Sequence, residues 1–451
     1  MVKKFKLNKL MLALPLSILM CSHVQAETIR IGIGHQSTVT NTVPGGIILE
    51  KLSLLEKHLP KDGKYKGNDY EIIYKDYTSG PPITNQMLAG KLAFGVMGDY
   101  PLIVNGAKFE KTGRAESRFI AVTGYNLKGT GNGIVVPVES DVYSLEELKG
   151  KSISTPVGSA AWGMTLKVLR DNDMMDKVNL KNQSPPVGVN NIAQSKIDAH
   201  SDFCPWSEVM EFRGTGRKIY DGSEAGIPTF HGTVVSTKFA EKYPEIVQAY
   251  VDATLEAQDW IAADPVLAAT KVSEWTGIEK EVLYLYFSKG GISTFEASIK
   301  PEWVKALKYD HALLVKEKNV PPLSFDKWLD ETYVKASYMA RGQDYEALAS
   351  SVVTPKIDDP ELPPAEMWID GEGIVNFTSV AAMTAAYAEA KKAGKKINAT
   401  YVYDKSTGLK LFGHVAFYVK MPSGELVTFM KKGDADKAKG KGELVAWADM
   451  K

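Results

Sequence analysis

The chain has 451 residues, 44% of them hydrophobic, with 54 Lys and Arg against 54 Asp and Glu. That is ample material for two or three domains, and the even charge balance excludes a global basic face for nucleic acid or anionic lipid. Its 2 cysteines, Cys21 and Cys204, exclude a disulfide-stapled scaffold once the first is assigned to a leader.

The leader comes first in chain order. Lys3, Lys4, Lys6 and Lys9 precede a short apolar run over residues 10–20, and Val24-Gln25-Ala26 gives the small-residue pattern that signal peptidase reads before Glu27. Cys21 offers a rival lipoprotein reading, but a lipobox wants a small residue where Met20 stands, so cleavage after Ala26 is expected. No later run is long enough to span a bilayer. The mature chain is therefore expected to be soluble and periplasmic, with Cys204 as a small apolar filler.

Residues 28–34 alternate as a strand and run into a polar loop over 35–42. Apolar residues at helical spacing follow over 45–58. Residues 70–77 read as a second strand, the turn Thr78-Ser79-Gly80-Pro81-Pro82 starts a helix through Leu88, and residues 94–97 form a third strand ending at Gly98-Asp99-Tyr100-Pro101. This order predicts a parallel sheet with right-handed crossovers. A second block begins near Leu127, with strands over 133–138 and 152–155 and the turn Pro156–Ala161 opening a helix through Arg170. Residues 187–191, 199–203 and 217–220 read as further strands of that block. A β-rich stretch returns over 229–236, and the chain is then almost all helical to about Ala340 (244–262, 265–276, 280–287, 301–318 and 325–340).

The proline-rich segment 352–366 reads as a stiff linker. Beyond it, strands over 366–377, 399–403, 413–420 and 425–430 and a helix over 380–393 predict a small α+β unit, with the Gly- and Lys-rich 431–441 as a solvated loop. The division expected is a leader (1–26), the first part of lobe one (27–126), lobe two (127–230), a helical second part of lobe one (231–350), a linker (351–366) and a C-terminal α+β domain (367–451).

Four segments carry a resemblance to a known family. These are residues 29–34 with their polar loop, the passage Gln86-Met87-Leu88-Ala89-Gly90-Lys91-Leu92-Ala93-Phe94-Gly95, residues 145–158 with their L-x-x-L-x-G-K-x-I-x-T-P-x-G pattern, and residues 243–265. In this order they resemble the periplasmic substrate-binding proteins of the nitrate/sulfonate/taurine group of ABC importers. The resemblance implies an α/β, two-lobed periplasmic binding protein fold of type II, a small-molecule ligand, an inner-membrane permease as partner and a monomeric state. Segments after residue 366 (367–377, 383–387, 401–404 and 413–419) more weakly resemble the copper-accessory lipoprotein associated with nitrous oxide reductase. That family's cysteine-methionine motif is not matched, since no cysteine follows Cys204. Met367, Met383, Met421 and Met430 remain as thioether candidates for soft Cu(I), against the plainer reading of packing methionines.

The candidate ligand contacts follow from strand ends and helix starts. Ser159 caps one helix and Ser79-Gly80 opens another, and two such starts facing each other would hold an anionic group through backbone N–H groups without any cationic side chain. Ala160 belongs to the first of these turns. Asp99, with Tyr100 beside it, and Asp202 end strands where ligands of open α/β sheets bind, and their carboxylates suit an amine. Together these features suit a small anionic or zwitterionic solute such as a sulfonate or taurine. His35, with Gln36, and His231 are expected to donate hydrogen bonds, Trp162 and Trp206 to supply aromatic area, and Asn132 to contact the ligand from lobe two. His200 is expected on the opposite strand face. The spacing of His35, His200, His231 and Cys204 matches no compact zinc motif.

The same fold serves enzymes of pyrimidine and thiamine-precursor metabolism. However, the chain has no G-x-S-x-G, no P-loop and no dinucleotide fingerprint, so neither a catalytic role nor a cofactor is expected. The alternative of a different kind is a periplasmic sensor or copper-handling protein that uses its C-terminal domain.

Overall fold

In the computed structural model the described residues are 1, 27–113, 116–126, 129–316, 320–351 and 354–450. The leader, Cys21 and the first crossing at Leu127 lie outside them. Ten strands precede residue 240: β1 (Thr28–His35), β2 (Asp69–Asp76), β3 (Phe94–Gly98), β4 (Ser117–Asn126), β5 (Gly133–Pro137), β6 (Ser152–Thr155), β7 (Asn179–Asn182), β8 (Ala199–Asp202), β9 (Gly216–Asp221) and β10 (Thr229–Ser236). They form two five-stranded sheets, ordered β2-β1-β3-β10-β4 and β7-β6-β8-β5-β9. In the first, β1 pairs in parallel with β2 and β3, while β10 runs antiparallel between β3 and β4. In the second, β6 pairs in parallel with β7 and β8, and β5 lies antiparallel to β8 and β9.

The alternation read from the sequence holds at the start of β1, where Thr28 and Arg30 are exposed, and the strand is buried throughout from Ile31 on. In β1, Ile29, Ile31 and Ile33 are buried against the Ile47–Leu52, Leu54–His58 and Pro244–Ala263 helices. The chain passes between the sheets twice, after β4 and after β9. The two passages abut, with Gly222 N donating to Asn132 O at 2.8 Å. Gly129, at φ +83°, stands where a Cβ would come within 2.8 Å of Gly222 O. A side chain at either passage would push them apart.

Helix boundaries marked by proline fall where expected. Pro265–Thr276 and Lys280–Phe287 match the sequence reading, Pro244–Ala263 differs only at its end, and Pro301–Lys316 follows the reading up to 317 and 318, which lie outside the described residues. Three readings are corrected. Residues 187–191 are not a strand but part of the helix Pro185–Ala193, whose two leading prolines set the helical φ at its start. Residues 431–441 are not a loop, because Lys432–Lys439 is a helix with Ala435 buried and Lys432 paired to Asp436 one turn on. The helical stretch 325–340 is two helices, Phe325–Trp328 and Thr332–Ala340.

The C-terminal unit carries seven more strands: β11 (Ala365–Ile369), β12 (Gly373–Phe377), β13 (Ile397–Tyr403), β14 (Lys410–Phe412), β15 (Phe417–Lys420), β16 (Leu426–Phe429) and β17 (Glu443–Val445). They make a four-stranded sheet, β12-β11-β13-β14, and a three-stranded one, β16-β15-β17, packed with the helix Val380–Lys392. This unit touches both earlier sheets' helices. Tyr401 Oη donates to Glu281 O at 2.9 Å, Tyr284 Oη donates to Glu366 at 3.2 Å, and Lys410 Nζ donates to Ser288 Oγ at 2.8 Å beside its ion pair with Glu366. On the other side Phe412 packs on Phe212 at 5.3 Å, a ring nitrogen of His414 lies 3.2 Å from Glu211 O, and Lys431 pairs with Glu224.

Candidate functional site

The strand ends of both sheets point at one narrow, nearly filled space. From the first sheet it receives Gln36 after β1, Ser79 and Gly80 after β2, Gly98 and Pro101 around the end of β3, and His231 on β10; from the second, Ser159 and Ala160 after β6 and Phe203 after β8. Ligand sites of open α/β sheets lie at such ends. His231 stands directly opposite Gly98 in the strand register, so the histidine ring occupies the room that a glycine leaves.

Two helices from opposite sheets begin at this space. Gly80–Leu88 starts after the extended Ser79, and Ala160–Asp171 starts after Ser159, whose hydroxyl accepts from Trp162 N at 3.2 Å. The N–H groups of Ala160 and Ala161 precede the first intrahelical bond and so remain free as donors. On the other helix Pro81 and Pro82 carry no N–H, which leaves Gly80 as the donor at its tip. The helix starts nearly touch, since a Cβ on Gly158 would lie 3.8 Å from Pro81. Among the described residues no lysine or arginine lines the space. Burial pushes His231 down to about 3, so its imidazole is neutral at ordinary pH, and its Nδ1 has no protein partner. Gln36 Oε1 is likewise buried without a partner. The site therefore offers neutral donors and helix dipoles, an arrangement that suits an anion.

Asp99, Tyr100 and Asn132 line a small adjoining cavity that shares Ala160 with the first. The Asp99 carboxylate accepts from Tyr100 N at 2.7 Å and from Thr229 Oγ1 at 2.8 Å, yet burial still raises it to about 6.

Four expected contacts do not line either space. His35 shares the strand face of Ile31 and Ile33, so it turns into the body of the first lobe, edge-on to Tyr74 and 3.9 Å from Glu50. Asp202 is fully buried inside the second lobe, where His200 Nε2 lies 2.8 Å from its carboxylate and Phe203 N donates at 2.9 Å. Burial raises its carboxyl while His200 opposes that shift. Trp162 leans on the first lobe, edge-on to Tyr100 at 6.0 Å. Trp206 packs at the start of its helix on the second lobe's cluster of Val135, Val189, Ile192, Ile197 and Met210 and on the large cluster that extends into the first lobe. Sequence reasoning missed Pro101 and Phe203, which are apolar and carry no chemical signal. It also missed His200 as the partner of Asp202, although an i, i+2 pair on a strand shares a face.

Of the methionines after the linker, Met367 and Met383 are buried in the C-terminal core with Met430 against it, while Met421 packs on a separate cluster.

The comparisons with known proteins agree with this architecture. The family model described as NMT1/THI5 like matches residues 110–268. The taurine-binding periplasmic protein of Escherichia coli is 27% identical over 200 residues, 43% of this chain and 58% of that protein. The chain thus spans just over half the length of that relative. A putative aliphatic sulfonates-binding protein of Bacillus subtilis is 24% identical over 265 residues, 58% of this chain and 73% of its own. The alkanesulfonate-binding protein SsuA from Xanthomonas axonopodis pv. citri, solved with bound MOPS, superposes with a TM-score of 0.57 at 20% identity, covering 68% of this chain and all of that one. The chain therefore has the α/β periplasmic binding protein fold with a further C-terminal unit, and it resembles the substrate-binding proteins of the nitrate/sulfonate/taurine ABC importer group.

Proposed function

We propose that this protein is the periplasmic solute-binding component of an ABC importer and that it takes a small anionic or zwitterionic solute of the sulfonate class between its two lobes. One observation carries the reading: the starts of Gly80–Leu88 and Ala160–Asp171, contributed by different sheets, face one space that holds unpartnered neutral polar groups and, among the described residues, no cationic side chain. A sulfonate placed there would accept from Gly80, Ala160 and Ala161 N–H, with Gln36, Ser79, Ser159 and His231 around it. The names of the relatives support the same solute class. Because both lobes contribute to this wall, solute favours the closed arrangement by its differential affinity for it.

Isothermal titration calorimetry against methanesulfonate, ethanesulfonate, taurine and MOPS tests the reading. Binding of at least one in the micromolar range or tighter, with a smaller radius of gyration in solution scattering when bound, is expected. Absence of heat with all four overturns it.

A further inference from the structure

Behind the second lobe's contact with the C-terminal unit lies a buried charge cluster that solute capture does not use. Glu208 and Glu211 stand on the helix Trp206–Phe212, and Lys218 and Asp221 on β9. Lys218 Nζ lies 2.5 Å from Glu208, 3.6 Å from Asp221 and 3.7 Å from Glu211, with its own side chain 5% exposed. All three carboxylates are buried. One ammonium therefore serves three carboxylates where unbalanced charge is costly. They are not served equally. Glu208 also accepts from Ser207 Oγ at 2.8 Å and from Tyr286 Oη on the helix Lys280–Phe287. Asp221 accepts from Ser223 N at 2.9 Å. Among the described residues Glu211 has only the Lys218 backbone N–H, at 3.3 Å, besides the longest of the three ion pairs. It is also the carboxylate nearest the C-terminal unit. A His414 ring nitrogen lies 3.2 Å from Glu211 O, and the rings of Phe412 and His414 pack on the adjacent Phe212. Two further ion pairs flank the cluster: Lys431 of the C-terminal unit with Glu224, which accepts from Asp221 N at 3.1 Å, and Arg213 with Glu279.

We propose that this cluster is a proton-linked latch: Glu211 takes up one proton from solvent when the C-terminal unit seats on the second lobe and returns it when the unit lifts. Seated, Phe412 and His414 keep water from the end of the helix, and a neutral Glu211 no longer repels Glu208 and Asp221. Lifted, the carboxyl is hydrated and ionises in its ordinary range. Burial raises Glu211 to about 7 from 4.5, with Lys218 opposing and the charges of Glu208 and Asp221 assisting. A carboxyl raised in one state favours that state at low pH. The seat is therefore tightest below 4.5 and weakens as pH rises through 7. The latch goes beyond solute capture and holds for whatever solute the cleft takes.

Hydrogen–deuterium exchange on the full chain, corrected for the intrinsic exchange rate at each pH, tests the latch. In the wild type, protection of the Trp206–Phe212 helix and of β14 should fall by about tenfold or more from about pH 5.5 to about pH 8, while that of β6, in the same lobe, stays level. Glu211→Gln has the same shape and is neutral at every pH, so it should hold the low-pH protection throughout. His414→Gln keeps a donor for the Glu211 carbonyl and should keep the pH dependence. Protection that does not change with pH in the wild type overturns the latch. An equal fall in β6 also overturns it, since the whole lobe is then unfolding. A pH dependence that survives in Glu211→Gln, or vanishes in His414→Gln, assigns the proton to another group and overturns it as well.

Discussion

His231 and Asp99 sit within a few residues' reach of each other, and burial moves them in opposite directions along the pH scale. His231 is pushed down to about 3 from an ordinary value near 6.5. Above about 6.5 it costs nothing; as pH falls towards 3 the unfolded chain takes up a proton that the folded one refuses, and stability is lost. Asp99 is raised to about 6 from 3.8, so its contribution is full below 3.8 and is lost as pH rises through 6. Thermal melts between pH 4.5 and 7.5 separate the two. His231→Gln should lessen the fall in melting temperature on acidification, and Asp99→Asn should raise the melting temperature more at pH 7.5 than at pH 4.5. Glu211, raised to about 7 by burial, slopes in the same direction as Asp99, so the differences between variants, not the wild-type curve, carry the result. At this scale the sequence was a partial guide. Strand ends and turns located Gln36, Ser79, Gly80, Ser159 and His231, because those positions follow from local pattern. His35 went the other way because its parity along β1 is that of Ile31 and Ile33, a signal that was present but outweighed by its place at the strand end. Asp310, which lines the adjoining cavity with Asp99, was out of reach, since it lies 211 residues along the chain from Asp99 and only tertiary packing joins them.

Among the elements, the contact between Asp99–Thr112 and Ala160–Asp171 decides whether the lobes meet. A Cβ at Gly163 would lie 2.0 Å from the Tyr100 ring, far inside van der Waals contact. Gly163 is inside a helix, where alanine costs the backbone nothing and glycine is the poorer helix former. Gly163→Ala should therefore leave the second lobe folded, or slightly more stable, while preventing closure. The expected result is at least about tenfold weaker solute binding, with no compaction in small-angle scattering. Wild-type affinity and compaction in this variant would mean that the contact is not needed for capture. The helices themselves were legible where proline and spacing mark their starts, at Pro244, Pro265 and Pro301. They were misread at Pro185–Ala193, where Val187 and Val189 suggested β structure, and at Lys432–Lys439, where glycine and lysine suggested none. In both cases packing overrode weak local preference: Val189 and Ile192 are buried on the second sheet, and Ala435 is fully buried among β15, β16 and β17.

For the whole molecule, the C-terminal unit was predicted as an appendage behind a linker, and its composition gave no sign of where it would rest. It rests on both lobes. Its seam with the Lys280–Phe287 helix buries Lys410 completely and Glu366 nearly so. Burial lowers Lys410 and Glu366 opposes that shift. Lys410→Met should destabilise the protein by about 3–5 kcal/mol in urea denaturation, because the buried Glu366 loses its cation and keeps only the hydrogen bond from Tyr284, and the double variant Lys410→Met/Glu366→Gln should recover much of the loss. An additive result for the double variant would show that the two groups do not act together.

Because Phe412, His414 and Lys431 grip the second lobe while Tyr401 and Lys410 grip the helices after β10, the appendage behaves as a staple across a clam. If the shell opens, one of its two prongs must lift. Free energy spent lifting that prong is charged against the empty, gaping form, so anything that grasps the appendage and pulls it off one side must change how tightly the cargo is held, and cargo must change that grasp by the same factor.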